Sequence, residues 1–255
     1  MYKNGLKLWS INTDYYYKEA QRLFSEGIFD YIELYIVPNT LDTLSKWKKL
    51  NIPFVIHASH SAHGFNLADK EKAQSNLEIY KEVKQFTDEL GAPYIIFHGG
   101  IDGDIKETAR QLAAFKETRA LIENKPYVAL PNKMGGKFCR GATLEEINYI
   151  KDIAKCGFCL DIGHAICSAN SLGKDIYEYC RSFLQFNPQM FHLSDIEDIT
   201  SQYDAHPHLG TGQLDFKQIF DMLENNKYIT IETNKYNKEN LDDFEKDVEW
   251  LKNFL

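Results

Sequence analysis

The sequence predicts an α/β protein, a single (β/α)8 barrel domain that spans residues 1–255. Eight short apolar runs alternate with segments of helical spacing, and no linker or low-complexity stretch interrupts them. A content of 44% hydrophobic and 26% charged residues suits a globular protein with a large buried core. An open doubly wound sheet is the alternative, and the lack of a glycine-rich phosphate loop after the first run disfavours it.

The predicted strands are continuous apolar, β-branched or aromatic runs rather than alternating ones. Such runs are typical of parallel strands that are buried on both faces. The eight runs are 6–9, 31–35, 54–56, 94–97, 127–130, 158–160, 190–193 and 228–231.

The intervening segments carry apolar residues at helical spacing together with helix boundary signals. Tyr80, Val83 and Phe86 share one face of a predicted helix that Gly91 ends. Thr143 and Glu146 form the pattern of a capping box at the start of another helix. Residues 112–122 are also predicted to be helical, although their spacing is less regular.

Composition narrows the classes of function. The formal net charge of −8 gives no overall attraction to nucleic acid, although a local basic patch remains compatible with it. The N-terminus lacks an apolar signal core, and no run approaches the ~18 apolar residues of a membrane span. The odd number of cysteines, 5, shows no disulfide-type spacing. We therefore expect a cytoplasmic protein without a membrane partner.

The histidines and several acidic residues cluster at the ends of the predicted strands. All eight histidines lie in or just after apolar runs, and none lies in a predicted helix. Asp161 and Glu232 end two further runs, and Asp204 lies near His206. In a (β/α)8 barrel the carboxyl ends of all strands meet at one mouth. Imidazole and carboxylate groups are ligands of divalent metals, so the sequence predicts one metal site at that mouth.

Five strings at these strand ends resemble the motifs of one superfamily, the xylose isomerase-like (β/α)8 TIM barrels. The strings are FVIHAS from Phe54, FHGG from Phe97, LDIGHA from Leu160, FHLSD from Phe191 and DAHPHLGTGQLD from Asp204. The superfamily includes sugar-phosphate isomerases and epimerases and the endonuclease IV-like enzymes of AP endonuclease family 2. The resemblance extends from the second predicted strand to Glu232.

The resemblance implies up to three sites for divalent metal, either Zn2+ or Mn2+. It implies a shared site formed by Asp161, His192 and Glu232. His57 and His98 resemble the ligands of a second ion, and His164, Asp204 and His206 those of a third. Three further residues placed at the mouth by the same scheme are predicted to bind substrate, namely Glu33, Asn132 and His208.

One expected departure from the family lies at the fifth predicted strand. The family has a glutamate before an asparagine there, whereas the sequence reads Leu130-Pro131-Asn132. Pro131 offers no oxygen ligand and no proton, so we expect the proton shuttle between two glutamates to be broken. A proline also simply ends a strand, and both interpretations are compatible.

Three functions remain open. The first, which we expect, is a metal-dependent isomerase or epimerase of a sugar or sugar phosphate, with Glu232 as the catalytic acid and base. The second is an endonuclease IV-like phosphodiester hydrolase acting on DNA. The complete third set of ligands supports it, and the missing bridging carboxylate at Pro131 and the lack of an evident basic, aromatic DNA-binding surface count against it. The third is a catalytically impaired barrel that only binds metal. Pro131 is the one observation that supports it.

Overall fold

The computed structural model describes residues 2–131, 134–224 and 226–254. Eight parallel strands form a closed barrel in the order β1 to β8, as predicted. The strands are β1 Lys3–Trp9, β2 Tyr31–Tyr35, β3 Phe54–His57, β4 Ile95–His98, β5 Ala120–Glu123, β6 Gly157–Asp161, β7 Met190–Leu193 and β8 Tyr228–Ile231.

The helices surround the barrel. They are α1 Tyr17–Ser25, α2 Leu44–Lys48, α3 Ala73–Leu90, α4 Ile105–Ala114, α5 Leu144–Ala154, α6 Ile162–Leu172, α7 Ile176–Ser182, α8 Phe216–Met222 and α9 Asp242–Leu251. Short 3-10 turns occur at Leu41–Thr43, Ser61–His63, Lys70–Lys72 and Phe183–Phe186. None of the helices in the described part of the chain is both long and apolar enough to cross a membrane.

Two predicted helix boundaries are confirmed. The Thr143 hydroxyl accepts a hydrogen bond of 3.3 Å from the Glu146 backbone N–H at the start of α5. Gly91 ends α3 with a φ of 64°, in the left-handed region that glycine adopts without strain.

Apolar side chains fill two main regions, besides a small cluster of Ile101, Ala129 and Cys139. The larger core lies between the strands and the helices and includes Trp47, Phe97 and Phe158. A smaller cluster fills the inside of the barrel, where inward-facing side chains from neighbouring strands meet. Its buried members are Tyr31, Val55, Ile96, Leu121, Cys159 and Met190.

The prediction for the fifth strand was wrong. β5 is Ala120–Glu123, within the segment predicted as helix, and α4 already ends at Ala114. Residues 127–130 form no barrel strand; Val128 makes only an isolated antiparallel bridge to Phe138. Parallel pairing of β5 with β4 and β6 decides the strand, because pairing partners override weak local preference. Pro131 therefore does not end the fifth strand.

The prediction that no histidine lies in a helix was also wrong. His164 lies in the first turn of α6, where its backbone N–H donates to the Asp161 carboxylate over 2.7 Å. His63 lies in the short turn Ser61–His63. Asp161 is thus both the last residue of β6 and the N-cap of α6.

Candidate metal centre

Polar side chains form a cup at the carboxyl-terminal end of the barrel. They lie two residues further along the strands than the apolar side chains that fill the interior. Side chains alternate across a strand with a period of two, so residues i and i+2 face the same side. Val55 inside the barrel is followed by His57, and Leu121 by Glu123. The inward-facing polar residues produced in this way are Lys7, Glu33, His57, His98, Glu123, Asp161, His192 and Glu232, the last just after β8.

The first cluster consists of His57, His98 and Glu123, whose ligand atoms lie within 4.8 Å of one another. The Nε2 atoms of His57 and His98 lie 3.2 and 3.1 Å from Glu123 Oε2. The His57 Nδ1–H donates to the carbonyl oxygen of Ala58 over 2.7 Å. The Nε2 lone pair of a neutral His57 therefore faces the carboxylate, an arrangement that a shared cation stabilises.

The second cluster surrounds His192. Its Nδ1 lies 2.9 Å from Glu232 Oε2 and 3.8 Å from Asp161 Oδ2, and its Nε2 lies 2.9 Å from Glu33 Oε2. Two groups of three possible ligands share this histidine, one with Glu33 and Glu232 and one with Glu123 and Asp161. The imidazole thus lies among four carboxylates.

The third cluster consists of His164, Asp204 and His206. Asp204 Oδ2 lies 3.1 Å from His164 Nε2 and 2.6 Å from His206 Nε2. The loop after β7 brings Asp204 and His206 to the mouth. His206 adopts a φ of 52°, a left-handed conformation that directs the backbone there.

Several buried atoms in this cup have no hydrogen-bond partner among the described residues. His192 Nδ1, Glu232 Oε2 and His206 Nδ1 are in this state. The first two lie only 2.9 Å apart, yet they form no hydrogen bond. Buried polar atoms are rarely left unpaired, and these are the nitrogen and oxygen atoms that bind metal. The donor set therefore fits divalent cations.

The electrostatics of the cup favour positive charge. Burial opposes the imidazolium of His164, but Asp161, Asp204 and Glu123 outweigh it and raise its pKa to about 10. Burial likewise opposes a charged His192, and Cys159 together with the nearby carboxylates still raises its pKa well above the usual range. Bound divalent cations would compensate the charge of the carboxylates equally well, and the histidines would then remain unprotonated as ligands.

Glu123 connects the clusters, and the sequence analysis missed it. Its carboxylate lies 2.9 Å from His164 Nδ1 and 3.5 Å from His192 Nδ1, in addition to its contacts with His57 and His98. Glu123 precedes Asn124, so the glutamate-before-asparagine pair expected at 131–132 is present at 123–124. The sequence Glu123-Asn124 could have identified this residue. It was overlooked because the fifth strand was predicted at residues 127–130.

Asn124 and two lysines also belong to the site and were not predicted. Asn124 donates to the Asp161 carbonyl oxygen and accepts from the Asp161 N–H, both over 2.8 Å, which holds β6 beside β5. Lys7 contacts Glu33 at 2.5 Å and Glu232 at 3.1 Å. Burial disfavours the Lys7 ammonium, but these carboxylates outweigh it and raise its pKa. Lys125 lies beside Glu123.

The three residues predicted to bind substrate fall in different places. Glu33 is fully buried in the cup, where it also accepts from the Thr230 hydroxyl over 2.5 Å. His208 lies 2.8 Å from Asp247, and its ring packs against Tyr236. Neither is among the described residues that line the cavity above the clusters. Asn132 lies outside the described residues.

A cavity of about 740 Å³ opens above the clusters. Its floor includes His57, His98, Glu123, His164 and Glu232. Its walls include Trp9 and Tyr35, the last residues of β1 and β2, and the loop residues Val128, Leu130, Met134 and Tyr203. The volume is in the range of pockets that bind small molecules.

A closed (β/α)8 barrel with histidines and carboxylates clustered at its carboxyl-terminal mouth defines a recognisable class of protein. A model of the family described as xylose isomerase-like TIM barrel matches residues 24–254. The chain belongs to this family.

Curated relatives carry the name of a nuclease. The protein named "Probable endonuclease 4" from Nitratidesulfovibrio vulgaris (strain DP4) is 27% identical over 173 residues, 61% of this chain and 61% of that protein. This chain thus matches less than two thirds of that relative's length. The protein of the same name from Halothermothrix orenii is 27% identical over 208 residues, 74% of each chain.

Solved structures with the same fold carry both kinds of name. A D-tagatose 3-epimerase-like protein has a TM-score of 0.74 at 20% identity, covering 99% of this chain and 96% of that one. Endonuclease IV from Thermus thermophilus has a TM-score of 0.68 at 18% identity, covering 98% and 99%. A further protein of the same organism, studied after soaking with ZnCl2, has a TM-score of 0.70 at 19% identity, covering 99% and 97%. At these identities the likeness concerns the fold.

Proposed function

We propose that this chain is a divalent-metal-dependent phosphodiester hydrolase, whose centre binds one to three ions of Zn2+ or Mn2+. Nine side chains would hold the ions, and Glu123 would link the three clusters. The nine are His57, His98, Glu123, Asp161, His164, His192, Asp204, His206 and Glu232. The observation that carries the proposal is the set of contacts from the single Glu123 carboxylate to histidines of all three clusters.

The reaction would join the oxygen of water to phosphorus and break one phosphorus–oxygen ester bond. The products are a phosphomonoester and an alcohol, and the protons of water are shared between them and the solvent. When bound, divalent ions supply an activated water and stabilise the negative charge that develops on the phosphate oxygens. No redox partner is required.

The residues of the chain orient the centre. The Ala58 carbonyl fixes the Nδ1–H tautomer of His57 and leaves its Nε2 free as a ligand. The Asp161 carboxylate accepts from the His164 backbone N–H, which fixes the first turn of α6 against the end of β6. Lys7 compensates the charge of Glu33 and Glu232, and it helps to hold the pKa of Glu232 well below its usual range despite burial.

An isomerase or epimerase of a sugar or sugar phosphate is the second candidate. The presence of Glu123 at the end of β5 favours it, because the expected objection from Pro131 no longer applies. Glu123 and Glu232 both lie within 3.5 Å of His192 Nδ1, so two carboxylates face one centre. The third cluster, which this chemistry does not require, favours the hydrolase. The free and buried cysteines support the proposal of a cytoplasmic location.

The test combines metal analysis with two assays. We expect the purified protein to contain Zn2+ or Mn2+, to hydrolyse bis(p-nitrophenyl) phosphate or an abasic-site duplex, and to lose that activity after chelation. His192→Ala should lower the metal content per chain, whereas the matched variant His208→Ala, outside the clusters, should not. Turnover of ketose or aldose phosphates without any diester hydrolysis would reject the hydrolase in favour of the isomerase.

A further inference from the structure

We infer that the cavity binds a small phosphodiester with an aromatic or other apolar substituent, and that Lys125 binds its anionic phosphate oxygen. The inference rests on the proposed hydrolase function and adds its substrate class. It depends on three features of the described residues: the environment of Lys125, the composition of the cavity walls and the scarcity of cations at the mouth.

Lys125 is a buried cation whose polar contacts are all 3.2 Å or longer. It is 5% exposed, and it lines the cavity. Its Nζ lies 3.2 Å from His164 Nε2, 3.5 Å from His98 Nε2 and 3.5 Å from Glu123 Oε1. Lys7, by contrast, lies 2.5 and 3.1 Å from two carboxylates. The Lys125 ammonium has three donors, and an anionic oxygen in the cavity would satisfy them better than these neighbours do.

The position of Lys125 matches the place where a phosphate would react. Its Nζ lies between a histidine of the first cluster and a histidine of the third. A phosphate held there would be next to the proposed metal ligands of both clusters. Lys125 therefore combines with the metal centre to select a negatively charged group rather than a neutral sugar.

One wall of the cavity is apolar and comes from the segment after β5. Val128, Leu130 and Met134 line the cavity. Bridges from Val128 to Phe138 and from Ile101 to Cys139 hold this segment over the β4–α4 loop. Asp102 in that loop accepts from the backbone N–H groups of residues 137 and 138, over 3.1 and 3.0 Å. The wall is thus anchored.

Aromatic side chains contribute to the other walls. Trp9 is 41% exposed, and its ring lies 5.1 Å from that of Tyr35. Tyr35 in turn is fixed by a hydrogen bond of 2.7 Å between its hydroxyl and His63 Nδ1. Tyr203 is 42% exposed and also lines the cavity. Exposed aromatic faces at a mouth favour a ring or apolar body on the ligand.

The mouth has few cations for an extended nucleic-acid backbone. Among the described residues that line the cavity, Lys235 is the one lysine that is not buried, and none is an arginine. Nucleic-acid binding depends on several lysine or arginine contacts to phosphates. The cavity of about 740 Å³ has one proposed anion-binding residue, Lys125, at its floor and apolar side chains in its walls. These features fit a compact diester better than a nucleic-acid strand.

The first experiment compares substrates with the metal-loaded protein. We expect kcat/KM for bis(p-nitrophenyl) phosphate or a nucleoside 2′,3′-cyclic phosphate to exceed that for an abasic-site duplex by about tenfold or more. Faster cleavage of the duplex would overturn this inference and leave the hydrolase standing. Hydrolysis of none of them would reject the hydrolase itself, and the inference with it.

The second experiment tests Lys125 by a readout other than activity. Removing one charged hydrogen bond is expected to weaken binding by about tenfold, so Lys125→Met should raise the Kd of inorganic phosphate by that factor at unchanged metal content. Lys125→Gln provides a second neutral variant if the first does not fold, and Lys106→Met is the exposed control. Unchanged phosphate affinity together with more bound metal would overturn the assignment, because Lys125 would then act by excluding cations.

A third variant tests the aromatic wall. Trp9→Ala should raise KM for bis(p-nitrophenyl) phosphate while leaving kcat nearly unchanged, because the ring would bind the body of the ligand and not the reacting group. Tyr236→Ala is the control, since Tyr236 is 73% exposed and lies outside the cavity lining. Equal KM values for the two variants would remove Trp9 from the binding wall.

Discussion

At the scale of single residues, the centre depends on Glu123. One carboxylate lies within 3.5 Å of ring nitrogens of four histidines, which belong to three clusters. Burying a carboxylate in this way is costly unless positive charge compensates it. Glu123 is 1% exposed, so the compensation must come from the cup itself, from Lys125, protonated imidazoles or bound cations.

Glu123→Gln should remove this connection. The amide keeps the size of the side chain but loses the charge, so we expect fewer metal ions per chain and a fall in diester hydrolysis of about 100-fold. Inductively coupled plasma mass spectrometry and steady-state kinetics measure the two effects. His208→Ala serves as the control. A Glu123→Gln protein with full metal content would show that Glu123 is not a ligand.

Lys7→Met tests the buried ion pairs of the cup. It leaves Glu33 and Glu232 without their cation, and breaking a buried pair from one side typically costs ~3–5 kcal/mol of unfolding free energy. Urea unfolding of the metal-free protein measures this. The exposed pair of Lys217 and Asp221 gives the control, because Lys217→Met removes a solvent-screened ion pair and should change stability far less. Similar losses in both variants would contradict the role of Lys7.

At the scale of elements, each strand from β2 to β7 delivers one polar side chain directly above an apolar one. The pleat produces this arrangement, and the helix that follows fixes it where a cap is present, as Asp161 does for α6. The segment after β5 is the exception, because it forms a wall of the cavity before α5 begins. α5 begins after this wall, at Leu144.

Thr143→Ala should weaken the anchor of α5. Loss of an N-cap hydroxyl typically costs ~1 kcal/mol, because a helix N–H loses its acceptor. The change in unfolding free energy in urea checks this value. Thr118→Ala, at an exposed position in the α4–β5 loop, is the matched control and should change stability by less than ~0.5 kcal/mol. Equal effects at both positions would argue against the cap.

At the scale of the whole molecule, the proposed ligands come from strands β3 to β7, from the first turn of α6, from the loop after β7 and from the residue after β8. An ion bound by such distant segments is bound by the folded chain and not by the unfolded one. Metal binding would then stabilise the entire barrel by mass action.

Chelation should therefore lower the melting temperature. At a metal concentration 100 times the Kd the stabilisation is ~2.7 kcal/mol, which corresponds to roughly 5–10 °C for a chain of this length. Differential scanning calorimetry with and without EDTA measures the shift. The His192→Ala variant should show a smaller shift than the unaltered chain. A melting temperature that chelation leaves unchanged would contradict a metal centre formed by the fold.

The sequence by itself determined the barrel, seven of its strands and eight of the nine proposed ligands. These follow from local properties. Apolar runs predict buried strands, and imidazoles and carboxylates directly after the runs predict a polar site at the carboxyl-terminal mouth of the barrel. Only the tertiary structure decided the fifth strand, because Ala120–Glu123 is short and becomes a strand through its pairing with β4 and β6. The position of this strand also places Glu123 and Lys125 in the site. Their contacts depend on packing between distant segments, which no local sequence pattern encodes.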